Sequence, residues 1–161
     1  MTFEEIHQHL LGQFGEADLL GTDENATPKA ILVETDSILK VMTFLNEDEQ
    51  LYFDMLSCLT GIDNGPETNT MEVIYNLYSV PYDQGLMVKV AIAREHPEIE
   101  SVASIWQTAN WHEREAFDLL GIKFLNHPDL RRILLPNDWE GHPLKKDYQA
   151  QEYYHGVKVK Y

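Results

Sequence analysis

Glu113-Arg114-Glu115-Ala116-Phe117-Asp118 places three carboxylates and a guanidinium within six consecutive residues. Carboxylates this close could serve as general acid and base in a hydrolase. On a helix, Arg114 and Asp118 stand four residues apart and face each other, as do Trp111 and Glu115. A guanidinium favours the ionised carboxylate and lowers its pKa, which suits ion pairing and not general-acid work. The expectation is therefore a structural charge network of Glu113, Arg114, Glu115 and Asp118. If that network is partly buried, losing Arg114 costs on the order of 3–5 kcal/mol.

Two further stretches carry interleaved charge and apolar residues. His127-Pro128-Asp129-Leu130-Arg131-Arg132-Ile133-Leu134-Leu135-Pro136 holds adjacent arginines, which suit ion pairs within the chain or across a contact better than a small-ligand site. In Asp138-Trp139-Glu140-Gly141-His142-Pro143-Leu144-Lys145-Lys146-Asp147-Tyr148, Trp139 and Leu144 can anchor a contact while Lys145 and Lys146 supply charge to a partner. Other chemistry fails on spacing. His112-Glu113 begins like a zinc-protease helix, but the second ligand position is Ala116. No phosphate loop, dinucleotide fingerprint or nucleophile elbow is present. His96, His127 and His142 each precede a proline and read as turns. Cys58 is the single cysteine, expected to be buried and inert, and one cysteine cannot ligate an iron–sulfur cluster or a structural zinc.

The charge is unevenly distributed. Of the net −15, all belongs to residues 1–110, whose only basic residues are Lys29, Lys40, Lys89 and Arg94; residues 111–161 are neutral overall. An acidic body argues against nucleic acid and anionic lipid as partners. The neutral third holds 8 of the 17 aromatic residues, a composition nearer that of an interface. No apolar run is long enough to span a bilayer. The opening Met1-Thr2-Phe3-Glu4-Glu5 resembles neither a secretory signal nor a transit peptide, so a cytosolic-type chain is expected.

The elements that must position these residues can be read in order. Thr2 to Glu5 is a capping box, with Phe3, Ile6 and Leu10 on one helical face and Gly12 as the stop. Gly21 to Pro28 reads as a loop and Ala30 to Val33 as a strand. Asp36 caps a second helix with Ile38, Val41, Met42 and Leu45 inward. Three strand-like runs follow, 51–59, 71–80 and 86–93, the first with Leu51, Phe53, Met55, Ser57 and Leu59 on one face. Their short connections require antiparallel pairing. A helix over Trp111–Leu120 is capped by Asn110 with Glu113 as its partner and stopped by Gly121. The fold class is α+β: helix–strand–helix, an antiparallel sheet, then helices and an extended ordered C-terminal tail. Residues 1–110 form an acidic body, and 111–161 form a motif-bearing helix and docking tail of the same single domain.

The ordered text Glu113-Arg114-Glu115, Asp118-Leu119-Leu120, His127-Pro128-Asp129-Leu130-Arg131-Arg132-Ile133-Leu134 and Pro143-Leu144-Lys145-Lys146-Asp147-Tyr148 resembles the thirty-kilodalton subunit of respiratory NADH:quinone oxidoreductase (complex I), the C-subunit of the bacterial enzyme. One departure is visible. The family pattern reads Arg-Lys-Asp-Tyr where this chain has Lys145-Lys146-Asp147-Tyr148, so a bidentate fork is lost at 145. The resemblance implies a non-catalytic subunit of the peripheral arm, on the cytoplasmic side of the inner membrane. It would scaffold the quinone-site D-subunit and the terminal iron–sulfur B-subunit of a proton-translocating complex that moves electrons from NADH to quinone. It implies no cofactor in this chain, with FMN and iron–sulfur clusters in partner subunits. His127, Arg131, Arg132, Trp139, Lys145, Lys146 and Tyr148 are the expected docking residues. The alternative within the resemblance is the equivalent subunit of a membrane-bound hydrogenase or other-donor complex. Two readings from other classes stand beside it. A stand-alone hydrolase using Glu113, Glu115 or Asp118 requires a cleft and a carboxylate titrating above its ordinary value. An acidic decoy of nucleic acid requires a basic partner.

Overall fold

A computed structural model describes residues 1–159; the last two residues of the tail segment 111–161 lie outside the described residues. Helix α1 (Phe3–Phe14) opens with the expected capping box: Glu5 N–H donates to Thr2 Oγ1 at 3.2 Å, and Thr2 N–H to the Glu5 carboxylate at 2.8 Å. It runs past Gly12 and ends at Gly15. A strand, β1 (Leu19–Asp23), then occupies part of the stretch read as a loop, because it can pair antiparallel with β2 (Ala30–Val33) as a hairpin. A short 3-10 turn at Thr35–Ser37 leads into α2 (Ile38–Glu47), so Asp36 lies within that turn and does not cap the helix.

Strands β3 (Met55–Asp63), β4 (Thr70–Ser79) and β5 (Gln84–Ala93) pair antiparallel, as their short connections require. The sheet order is β1-β2-β5-β4-β3, with β2 and β5 parallel. Alternate residues of β4, from Met71 through Val73, Tyr75 and Leu77, are buried and share one core with Ile6 and Leu10 of α1 and the inward stripe of α2. In β3 a bulge between Leu56 and Cys58 breaks the alternation. Leu56 and Leu59 both point inward, while Met55 and Ser57 are exposed, contrary to the simple period-two reading. The extra residue also leaves Cys58 partly exposed instead of buried, with its Sγ 3.3 Å from Thr60 Oγ1.

After β6 (Glu98–Glu100), turns lead into α3 (Ala109–Leu120), which begins earlier than the capping argument placed it. Thr108 is the N-cap, and no side chain caps the helix. β7 (Lys123–Leu125) returns to pair parallel with β6, tying α3 to the body. From 126 onward the chain runs in turns and bends to a small hairpin, β8 (Tyr153–Tyr154) with β9 (Val157–Lys158).

Two glycines permit close approach. Gly61 on β3 lies under α3, where an added Cβ would sit 2.5 Å from Leu120 Cδ1 and 2.8 Å from Ile122 Cδ1. Gly121 ends α3 in the left-handed conformation, φ +78°, and the His142 ring occupies the space a side chain would need. Gly61→Val should lower stability by about 1–3 kcal/mol through overpacking of that contact. Urea unfolding checks this, and an unchanged midpoint would show that α3 does not pack tightly on β3.

Candidate functional site

Asp118, on the inward face of α3, is fully buried. Its Oδ2 accepts the backbone N–H groups of Ile133, Leu134 and Leu135 at 3.1, 2.7 and 2.9 Å. Its Oδ1 accepts Arg132 Nη1 at 2.8 Å. Arg132 directs its other bonds to carbonyls: Asp118 O at 3.2 Å, Trp139 O at 2.9 Å and Gly141 O at 3.0 Å. His142 Nδ1 lies 2.9 Å from the same Asp118 carbonyl and must carry a proton there. Burial pushes the Asp118 carboxyl up, but the N–H of Leu135, the Arg132 guanidinium and the N–H groups of Leu134 and Ile133 outweigh it, leaving the pKa below its ordinary value.

The partner of Asp118 is thus Arg132 and not Arg114. Helical side chains lean toward the N-terminus, so Arg114 reaches back over Trp111, with its guanidinium carbon 5.5 Å from the ring centroid. It donates to the carbonyls of Arg131 and Arg132 at 3.2 and 3.4 Å. Glu115 is exposed and outside the cluster.

Glu113 corrects the expectation further. It is fully buried and faces neutral groups: Ser101 Oγ at 2.5 Å and the Val102 N–H at 2.8 Å. It therefore caps the loop before α3 and not the helix itself. His127 stands beside it but brings no positive charge. Its Nε2 lies 3.2 Å from Asn110 O and must donate, while its Nδ1 accepts the Asp129 N–H at 2.9 Å. Those two roles belong to the neutral ring. The Nε2 to Glu113 Oε2 separation of 3.8 Å is beyond hydrogen bonding. Burial lifts the Glu113 pKa to about 7 against the opposing bonds from Ser101 and Val102, so it is raised where lowering was expected. A raised carboxylate is what a hydrolase would need, yet this one is sealed. The clefts along α3 are lined by His112 and Glu115, not by Glu113.

Asp63, at the end of β3, is the third anchor. Arg94 binds it through Nε and Nη2 at 2.7 and 3.0 Å, and the backbone N–H groups of Lys146 and Gly65 add bonds at 2.8 and 3.0 Å. The Arg94 guanidinium, aided by those N–H groups and opposed by burial, holds the carboxyl well below the ordinary range. Arg94 also pairs with Asp147.

Residues 127–148 are therefore pinned at both ends. His127, Arg132, Trp139 and Tyr148 are engaged internally, Trp139 Nε1 donating to Tyr148 Oη at 3.1 Å. Trp139 also stacks near Tyr154, ring centroids 5.2 Å apart. Arg131 is exposed and pairs with Asp129, while Lys145 and Lys146 find no carboxylate among the described residues. Sequence reasoning missed Asp63, Arg94 and Ser101. One signal was available: Arg94 is the only arginine in residues 1–110 and invites a buried bidentate partner.

The family of the respiratory-chain NADH dehydrogenase 30 Kd subunit matches residues 31–154. The NADH-quinone oxidoreductase C-subunit of Chloroherpeton thalassium is 47% identical over 160 residues, 98% of this chain and 65% of that protein. Its counterpart from Chlorobium phaeobacteroides is 45% identical over 151 residues, 92% of this chain and 90% of that protein. Among solved structures, a trypsin-resistant fragment of Nqo5 superposes with a TM-score of 0.63 at 25% identity, covering 77% of this chain and 98% of the fragment. A chain of the membrane-bound sulfane sulfur reductase, an archaeal respiratory membrane complex, shares the fold, with a TM-score of 0.74 at 22% identity over 91% of this chain and 85% of that one. The chain belongs to the 30 kDa subunit family of respiratory-chain NADH dehydrogenase.

Arg132→Ala should destabilise the protein by about 3–5 kcal/mol, because it leaves a buried carboxylate without its cation. Arg132→Lys should not restore it, since a single ammonium cannot reproduce the fork. Chemical denaturation of both variants checks this, and a near-neutral Arg132→Lys would contradict the fork. Glu113 gives a pH signature of opposite sign to that of the aspartates. Folded Glu113 titrates at about 7 and the unfolded group near 4.5, so the folded state holds an extra proton between these values and stability falls as pH rises through that window. Glu113→Gln mimics the neutral acid and should remove the slope, a difference of up to about 3 kcal/mol at neutral pH. Asp63 and Asp118 are depressed, so their contribution is present above the ordinary carboxylate range and is lost as pH falls through their folded pKa values. Parallel slopes for wild type and Glu113→Gln from about pH 5 to about pH 7.5 would sink the Glu113 assignment.

Proposed function

We propose that the chain is a non-catalytic subunit of the peripheral arm of a proton-translocating NADH:quinone oxidoreductase, on the cytoplasmic side of the membrane. In this reading residues 127–148 hold the quinone-site subunit and the one that carries the terminal iron–sulfur cluster. Electrons pass from NADH through FMN and clusters in other subunits, and this chain binds none of those groups.

The observation that carries the reading is how the family motif is used. Its inward charged residues, Glu113, Asp118 and Arg132, go to position segments of chain. Asp118 and Arg132 fix the middle of the strip, Asp63 fixes Lys146, and Glu113 is sealed. Among the described residues, no three His, Cys, Asp or Glu side chains gather as a metal-ligand set. The relatives named above are subunits of NADH-quinone oxidoreductase. No helix among the described residues is long and apolar enough to cross a membrane, which suits a peripheral subunit.

Purification of the affinity-tagged full chain from detergent-solubilised membranes should bring down the quinone-site and terminal-cluster subunits together. The chain purified alone should have no absorption band in the visible. A tagged chain that recovers neither of them, or a coloured pure chain, would overturn this reading.

A further inference from the structure

Trp111, Leu134 and Leu144 are 64%, 63% and 59% exposed, far from the burial expected of such side chains. They are not loosely placed. The backbone N–H of Leu134 is held by Asp118 Oδ2 at 2.7 Å, which fixes the segment from which its side chain projects outward. The N–H of Leu144 donates to Leu119 O at 2.9 Å on the last turn of α3. Trp111 is held under the Arg114 guanidinium. Trp111 and Leu134 share a cleft of about 200 Å³ with His112 and Glu115, and the same two polar residues border the adjoining cleft of about 230 Å³ that Leu144 lines. The three apolar side chains thus form one face across the outside of α3.

The charge around this face is unusual for so acidic a chain. Among the described residues, the lysines and arginines that pair with no carboxylate are Arg114, Lys145, Lys146 and Lys158. Two of these four adjoin the apolar face, Arg114 over Trp111 and Lys145 directly after Leu144 in the chain, while Lys146 turns its Nζ to Asn64 O at 3.4 Å. A chain with a net charge of −15 leaves Arg114 and Lys145 without a carboxylate partner beside its pre-ordered apolar surface. A second copy, equally acidic, is a poor occupant.

We infer that the outer face of α3, with Trp111, Leu134 and Leu144 as anchors, docks a protein partner whose surface offers an apolar hollow bordered by carboxylates. The inference rests on the assembly reading above and moves the contact away from Arg132, Trp139 and Tyr148. Those residues build the strip, while the outward leucines and the tryptophan touch the partner. Pre-ordering by backbone bonds lowers the entropy lost on docking, and a tryptophan with flanking leucines suits a hot spot.

The test uses the tagged full-length chain in its native membranes. Leu134→Ser/Leu144→Ser and Trp111→Ala should keep the wild-type urea midpoint of the isolated chain. Each should lower recovery of the co-purifying subunits by about tenfold or more, the loss expected for anchor residues. Lys145→Glu should lower recovery and make it less sensitive to salt. Tyr153→Ser/Val157→Ser, equally exposed apolar positions on the terminal hairpin, should leave recovery unchanged. Wild-type recovery with the leucine double variant would overturn the inference while leaving the assembly reading intact, provided the wild-type chain brings its partners. A wild-type chain that brings none would instead sink the assembly reading. Should the isolated wild type dimerise in light scattering and the leucine variant not, the occupant is a second copy and the inference is wrong.

Discussion

A single buried charge sets the layout of the C-terminal third. Taking a carboxylate out of water costs several kcal/mol unless its lone pairs are filled. Asp118 meets that cost with three consecutive backbone N–H groups and one arm of Arg132. The same arginine then gathers the carbonyls of Trp139 and Gly141, and His142 closes over Gly121. A stretch with almost no regular secondary structure is ordered because an ion inside the protein requires its donors. Leu134 projects outward from this held segment, while Ile133 and Leu135 on either side are half-buried.

The two other buried carboxylates illustrate different solutions to the same problem. Asp63 stays ionised against the Arg94 fork and uses its remaining capacity to hold Lys146. Glu113 has no cation, because His127 is held in its neutral form by Asn110 and Asp129. Burial favours its neutral acid form, which is why its pKa rises to about 7. Two charges anchor the strip, and one neutral acid anchors the loop that enters α3. Membership of the 30 kDa subunit family gives this arrangement a purpose. Under the assembly reading proposed above, Asp63 and Asp118 serve to hold the strip that would meet partner subunits.

Much of this was legible in the chain. The α1 capping box, the inward stripe of α2 and the antiparallel trio β3–β5 follow from local spacing. What failed did so for non-local reasons. β1 carries only a weak apolar signal and exists because β2 offers an edge. The β3 bulge turns Met55 and Ser57 outward and Leu56 inward, which periodicity cannot foresee, while Leu51 and Phe53 are buried as the alternation requires. The pairing of Arg114 with Asp118 was plausible on helix spacing alone, but Arg132, fourteen residues away, brings backbone donors that a same-helix partner cannot. The charged motif was visible, while its division into ionised and neutral members depended on neighbours such as Ser101 and Arg94.

The claim that Asp118 organises the strip can be tested on three amides. Hydrogen exchange by NMR at neutral pH should find the N–H groups of Ile133, Leu134 and Leu135 protected to the same degree as those of α3, despite their place in an irregular segment. Exchange at the rate of an open loop would mean that the buried carboxylate does not hold them and that Asp118 does not order the strip.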